Sequence, residues 1–153
     1  RPVPENLSAP ALSGISRLTL ISPRLEEQHV TRIARQFGLN ERFLSRPAGN
    51  LSGGNQQKVA LGKWIGLNPT ILLVEEPTRG VDVGARAEIY SHLRQLTDEG
   101  LSIIFASSDT QEVIGFADRI ASFFHGELVR IADADSVTAE SLTRDVTRAS
   151  EAA

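Results

Sequence analysis

Two short stretches carry residues whose types and spacing can do chemistry. In "NLSGGNQQK", residues 50–58, Ser52 and the paired glycines Gly53 and Gly54 open a helical pattern, with Asn55 directly behind them. The first N–H groups of a helix have no intrahelical partner and sit at the positive end of its dipole, so this start suits an anion. Glycine adds the freedom for a ligand to come close to the backbone. In "TILLVEEPT", residues 70–78, Glu75 and Glu76 end an apolar run. Ligands of open α/β sheets gather outside the carboxyl ends of strands. One carboxylate there could organise a hydrated Mg²⁺ while its neighbour polarises an attacking water. Taken alone, each stretch also has a plainer meaning: Ser52 as an ordinary N-cap, and two solvated acids before a proline turn. The loop G-x-x-x-x-G-K-[ST], which normally grips nucleotide phosphates, occurs nowhere in the 153 residues.

The elements that must position these residues follow from periodicity. Residues 1–24 hold Pro2, Pro4, Pro10 and Pro23 among serines and read as irregular. "EEQHVTRIARQFGLN" places Val30, Ile33, Ala34 and Phe37 on one helical face and stops near Gly38. From Ser52 to about Leu67, the residues Val59, Ala60, Lys63, Trp64 and Leu67 keep helical spacing, ended by Asn68 and Pro69. Trp64 reads as core, and Lys58 and Lys63 as solvated charges. "TILLV" and "LSIIFA" read as strands buried on both faces, with a helix over about 84–98 between them, Ile89, Leu93 and Leu96 inward and Gly100 as its stop. A shorter helix around 109–116 follows, then a hairpin, "DRIASFF" and "ELVRIA" joined at His125-Gly126. "TAESLTRDVTRA" closes the chain as a helix capped by Thr138. Strands alternating with helices specify an α/β domain with a mainly parallel sheet.

Bulk properties narrow the classes. Hydrophobic residues make up 41% and charged residues 23%, an ordinary globular composition. A net charge of −3 gives no support to a nucleic-acid surface. There is no cysteine, so disulfide and thiol chemistry are excluded, and no apolar run reaches the roughly 18 residues of a membrane span. His29, His92 and His125 lack ligand spacing. There is also no methionine, so the chain reads as part of a longer polypeptide.

"LSGGNQQK", "EEPTRGVD" and "ASSD", in that order, resemble the signature, Walker B and switch motifs of the ATP-binding-cassette (ABC) ATPases. "PTRGVDVGARAEIY" is similar to one branch, the ATPase subunits of ribose- and galactose-type sugar importers, and within it to the second of two fused cassettes. "ENLSAPAL" fits the segment before that family's helical subdomain, so the resemblance covers nearly the whole chain. It implies a P-loop NTPase-like fold with a mainly parallel sheet, lacking the phosphate-loop (Walker A) strand. Residues 1–68 then correspond to a remnant of the helical subdomain with the signature helix, and residues 69–153 to the Walker B, D-loop and switch core with a C-terminal hairpin and helix.

Carried over by position, Ser52, Gly53, Gly54 and Asn55 would contact the γ-phosphate of an ATP seated on another cassette. Glu76 would orient the hydrolytic water. Glu75 stands where the family has the aspartate that supports Mg²⁺, and its extra methylene puts hydrolysis at this cassette's own site in doubt. Gly80, Val81 and Asp82 would form the D-loop, with Asp82 alternatively a helix cap. Ser108 takes the place of the switch histidine. ATP and Mg²⁺ are then expected only in the full-length dimeric assembly, and the isolated chain is expected to bind ATP negligibly and not to hydrolyse it. Implied partners are the N-terminal cassette of the same chain or a second ATPase subunit, a transmembrane permease and, indirectly, a sugar-binding protein, at the cytoplasmic face of the membrane. No nucleic-acid partner is implied. Without the phosphate-loop strand, an unpaired sheet edge and exposed apolar faces are expected, with self-association as their consequence. Two other readings are a cassette ATPase outside transport and a non-catalytic regulatory module built from a degenerate cassette, the latter favoured by Glu75 and Ser108.

Overall fold

The computed structural model describes residues 1–17 and 20–147. It divides into two compact units, Arg1–Phe105 and Ala106–Ala153, the second described as far as Thr147.

The first unit opens with helices where proline and serine predicted irregular structure: α1 (Val3–Ser8), a 3₁₀ turn (Ala9–Ala11) and α2 (Leu12–Ile15). The prolines fall in first turns, where a missing N–H costs nothing and the fixed φ suits a helix start. Pro4 lies in the first turn of α1, Pro10 in that of the 3₁₀ turn, and Pro23 opens α3 (Pro23–Gln36). Burial of Val3 and Leu7 fixes α1 in place, each such side chain stabilising by about 1.5–3 kcal/mol. Between α2 and α3, β1 (Ser16–Arg17) and β2 (Leu20–Ile21) pair antiparallel. In α3 the expected face is the buried one, Val30, Ile33 and Ala34, continued by Phe37, and Gly38 leaves the helix at φ +59°.

Helix α4 (Gly53–Ile65) has the expected extent but not the expected face. Its buried stripe is Gly54, Lys58, Gly62 and the C-cap Gly66, spaced by four, flanked by Val59, Leu61 and Ile65. Ala60 and Leu67 are exposed, and Trp64 is 51% exposed, with Lys63 over its ring at 5.1 Å. Glycine sets this face because α3 lies against it. A Cβ at Gly62 would lie 2.8 Å from Ile33 Cγ2, and one at Gly66 would lie 2.4 Å from Ile33 Cδ1. Arg32 Nη2 donates to the Gly66 carbonyl at 2.8 Å, a cation on the negative end of α4.

The strand β3 (Ile71–Glu75) pairs with β4 (Ser102–Ala106), and α5 (Val83–Asp98) connects them. Ile89, Leu93 and Leu96 of α5 face inward as expected, and Gly100 follows at φ +103°. The strands are not buried on both faces. Leu72 is buried, but Ile71, Leu73 and Ile104 stand exposed, Leu73 to 73%. Among the described residues each sheet has two strands, and the face of β3 that carries Ile71 and Leu73 is open.

In the second unit, Asp109 caps α6 (Thr110–Phe116) by accepting from Gln111 N and Glu112 N. The expected hairpin, β5 (Arg119–Phe124) and β6 (Glu127–Asp133), is antiparallel. Its turn residues His125 and Gly126 are both left-handed, at φ +48° and +85°. Ile120, Ala134, Val137 and Leu142 form its core. Thr138 Oγ1 accepts from Ser141 N and Ser141 Oγ from Thr138 N, a reciprocal cap at the start of α7 (Ala139–Thr147). The last residues of the expected closing helix lie outside the described residues.

Candidate functional site

The chemistry-bearing residues of the first unit gather around the N-termini of α4 and α5. Ser52 occupies the N-cap of α4 with an extended backbone, but its side chain makes no capping bond; instead its Oγ accepts from Asn55 Nδ2 at 2.9 Å. The first-turn N–H groups of α4 are thus not occupied by the residue best placed to occupy them, and Ser52 and Gly53 are exposed.

The glycine pair has a second role that sequence reasoning did not find. A Cβ on Gly53 would lie 2.9 Å from the Gly80 carbonyl oxygen. One on Gly54 would lie 2.5 Å from Ala85 Cβ and 3.6 Å from Val81 Cγ1. Any larger residue would push the two helix starts apart. The glycines therefore bring the segment Ser52–Asn55 against the turn Gly80–Asp82. Gly80 is left-handed at φ +73°, and Asp82 caps α5 by accepting from Ala85 N at 3.0 Å. The capping role considered for Asp82 is the one it takes, while the residue itself remains exposed.

Glu75 ends β3 and is exposed; Glu76 follows, half-buried, at φ +47°. That backbone region is disfavoured for a residue with a Cβ, by roughly 1–2 kcal/mol. It is held by the turns that follow: Arg79 N donates to the Glu76 carbonyl and Val81 N to that of Thr78, over a buried Pro77 and Thr78. No local pattern in the residues signals strain at the position chosen for water activation. Ser108 belongs to the second unit. It stands exposed in the bend before α6, between Ser107, which donates to the Glu112 carboxylate, and the cap Asp109.

Lys58, read as a solvated charge, is 5% exposed. Its Nζ lies 2.7 Å from Glu88 Oε2 of α5, so it faces the neighbouring helix and not a phosphate at the helix start. The hydrogen bond and charge of Lys58 hold the Glu88 carboxyl below its ordinary range. Burial lowers the His92 pKa, with the Lys58 charge adding to it. Burial also lowers that of His29, whose Nε2 lies 3.3 Å from the Leu7 carbonyl oxygen and whose Nδ1 lies 3.5 Å from Arg32 Nη2. Both contacts fit a neutral ring protonated at Nε2. Among the described residues no group of three or more acidic or histidine side chains is placed to hold a metal ion. Glu75 offers one exposed carboxylate, the share of ligation Mg²⁺ takes from protein when phosphates and water supply the rest.

Comparison with known proteins bears on this arrangement. A family model described as "ABC transporter" matches residues 4–79. The ribose import ATP-binding protein RbsA of Halalkalibacterium halodurans is 41% identical over 138 residues, covering 90% of this chain and 28% of that protein. A Bacillus cereus protein of the same name is 40% identical with the same coverage. The chain thus spans little more than a quarter of the length of the curated relatives it matches. Among solved structures, the dimeric ATP-binding cassette MJ0796 in a post-hydrolysis state with ADP and Pi superposes with a TM-score of 0.74 at 25% identity, over 87% of this chain and 56% of that one. A nucleotide-free ATP-binding cassette gives 0.76 at 21% identity, a likeness of fold, over 87% and 55%.

Proposed function

Because the chain is an ABC transporter ATPase domain homologous to the ribose import ATP-binding proteins, we propose that it supplies the signature half of a composite ATP site in a sugar importer. Its Ser52–Asn55 turn meets the γ-phosphate of an ATP held on a partner cassette's phosphate loop, and the assembly couples hydrolysis to carbohydrate uptake. One observation carries this reading. The exposed start of α4, with its capping side chain turned to Asn55, is packed by glycine contact onto the turn that ends in Asp82.

The residues present fit the phosphates. The first-turn N–H groups of Gly53, Gly54 and Asn55, the positive end of α4 and the Ser52 hydroxyl form a donor set for oxygen anions. Asp82 holds the start of α5 and keeps the adjoining turn in place. Glu75 would support Mg²⁺ by a single carboxylate, and bound Mg²⁺ would neutralise charge between the phosphates. Glu76 would accept a hydrogen bond from the attacking water, its direction fixed by the left-handed backbone. Ser108 offers a neutral hydroxyl where a charged group would act more strongly, so hydrolysis at this cassette's own site is slow or absent. The partner is the N-terminal cassette of the same polypeptide or a second ATPase subunit, joined at the cytoplasmic face to a permease served by a sugar-binding protein. Residues 1–68 act as the helical part that carries the signature helix, and residues 69–153 as the Walker B, D-loop and switch core with the C-terminal hairpin and helix. Exposed Ile71, Leu73 and Ile104 support self-association of the chain when no partner is present.

The test is association with a phosphate-loop-bearing cassette from a ribose import relative. With Mg²⁺ and a non-hydrolysable ATP analogue, sedimentation should show a one-to-one complex that disappears when the nucleotide is omitted. Nucleotide-independent association, or none, would contradict the reading. The chain alone should show no saturable ATP binding at micromolar concentration, by calorimetry.

A further inference from the structure

The turn proposed to meet phosphate, Ser52–Asn55, touches the turn Gly80–Asp82 through glycine, and glycine contact sets how close two helices lie. What meets Gly53 is the Gly80 carbonyl, and what meets Gly54 is the small Ala85 side chain with Val81 Cγ1 beside it. The next buried residue along the same stripe of α4 is Lys58, and a lysine is almost never that buried without a partner. Its Nζ reaches Glu88 across the seam at 2.7 Å, and Glu88 itself remains largely exposed. The ion pair therefore joins α4 to α5 one turn beyond the contact that brings their N-termini together.

We infer that Lys58 is a positioning residue: through Glu88 it fixes the register of α4 on α5, so that the Ser52–Asn55 turn is held against the Gly80–Asp82 turn in the orientation in which it meets a phosphate group. The inference rests on the functional reading above for its purpose, but the register itself is a property of the chain alone. Removing the charge frees the helices to slide on the glycine contact. It leaves each helix, and each turn, intact.

The chain has no cysteine, so labels can be placed cleanly. Ala60→Cys on α4 and Ser91→Cys on α5 are both at exposed positions and can carry a spin-label pair. In this background the distance distribution should be narrow, broaden with Lys58→Met or with Glu88→Gln, and narrow again with Lys58→Arg. Glu88→Gln changes only an exposed side chain, so it keeps the test open if Lys58→Met does not fold. In the sedimentation assay with the analogue-loaded cassette, both disruptive variants should bind about tenfold more weakly. A distribution as narrow as in the parent, with only a lower urea midpoint, would overturn the proposal and make the pair purely stabilising. Broadening together with unchanged affinity would also overturn it. If the parent protein itself failed to bind the loaded cassette, the functional reading would fail, and the distance measurement alone would still decide whether the pair fixes the register.

Discussion

The seam between α4 and α5 and the sheet of β3 with β4 adjoin the same segment, Glu75–Asp82, and are built in opposite ways. The seam is closed: glycines at van der Waals limits, a buried lysine with its carboxylate, and a cap on α5 leave little freedom. The sheet is open: two paired strands whose apolar side chains Ile71, Leu73 and Ile104 face solvent. The difference separates what local contacts close from what they leave open. The turn proposed to meet phosphate needs a fixed backbone, and the contacts at the seam supply it. A sheet needs neighbours on its edge and faces, and the solved cassettes it resembles are nearly twice as long as this chain's share of them.

Substitutions should separate the two regions sharply. Gly54→Val places branched atoms where a single Cβ already lies 2.5 Å from Ala85, so it should destabilise by about 2–3 kcal/mol in urea unfolding. Leu73→Thr, at an equally apolar but exposed position, should stay within about 0.5 kcal/mol of the parent. A large loss at Leu73 with a small one at Gly54 would reverse the comparison. Between the two in size is Glu76→Gly, which removes the Cβ from a left-handed backbone and should raise stability by about 1 kcal/mol. Stability unchanged or lowered there would mean that contacts of the Glu76 side chain outweigh the backbone cost.

These contrasts also mark what could be read from the residues in order. The extents of α3, α4 and α5, the hairpin and the Thr138 cap were legible because apolar period, stop glycines and turn chemistry are local signals. The buried face of α4 was not, because its stripe is glycine and lysine, and neither counts as apolar in a periodicity argument. Trp64 misled for the same reason, as an apolar residue on the solvent side. The N-terminal prolines suggested loops until their places in first turns were seen. Exposure of β3 depends on what packs on its faces, which no local pattern states. At the candidate site, the residue types at Ser52–Asn55 and Glu75–Glu76 were visible, whereas the backbone of Glu76 and the Lys58–Glu88 pair exist only in three dimensions.

The smallest expected effect is one of pH and concerns the seam and its neighbour α3. His29 and His92 have pKa values lowered by folding, so below about 6.5 the unfolded chain binds protons that the folded chain resists. Their contribution is present at neutral pH and is lost as pH falls. Glu88, also lowered, adds a loss of the same sign at more acid pH, as its carboxylate takes up a proton and leaves Lys58 unpaired. The urea midpoint should decline modestly from about pH 7 to about pH 5.5, and the double variant His29→Gln, His92→Gln should flatten that decline. A midpoint rising over this range would contradict the assigned direction.

The most direct test of the account is Ser52→Asp. Asp is as good an N-cap as Ser and carries a charge suited to a helix start, so folding stability should be kept or raised by up to about 1 kcal/mol. On the proposed reading the same charge faces the phosphate, and like-charge repulsion of several kcal/mol should weaken nucleotide-dependent association with the loaded cassette by about 100-fold or more. Stability preserved with association lost is the predicted result. Association undiminished in a stable Ser52→Asp protein would show that this turn does not meet a phosphate.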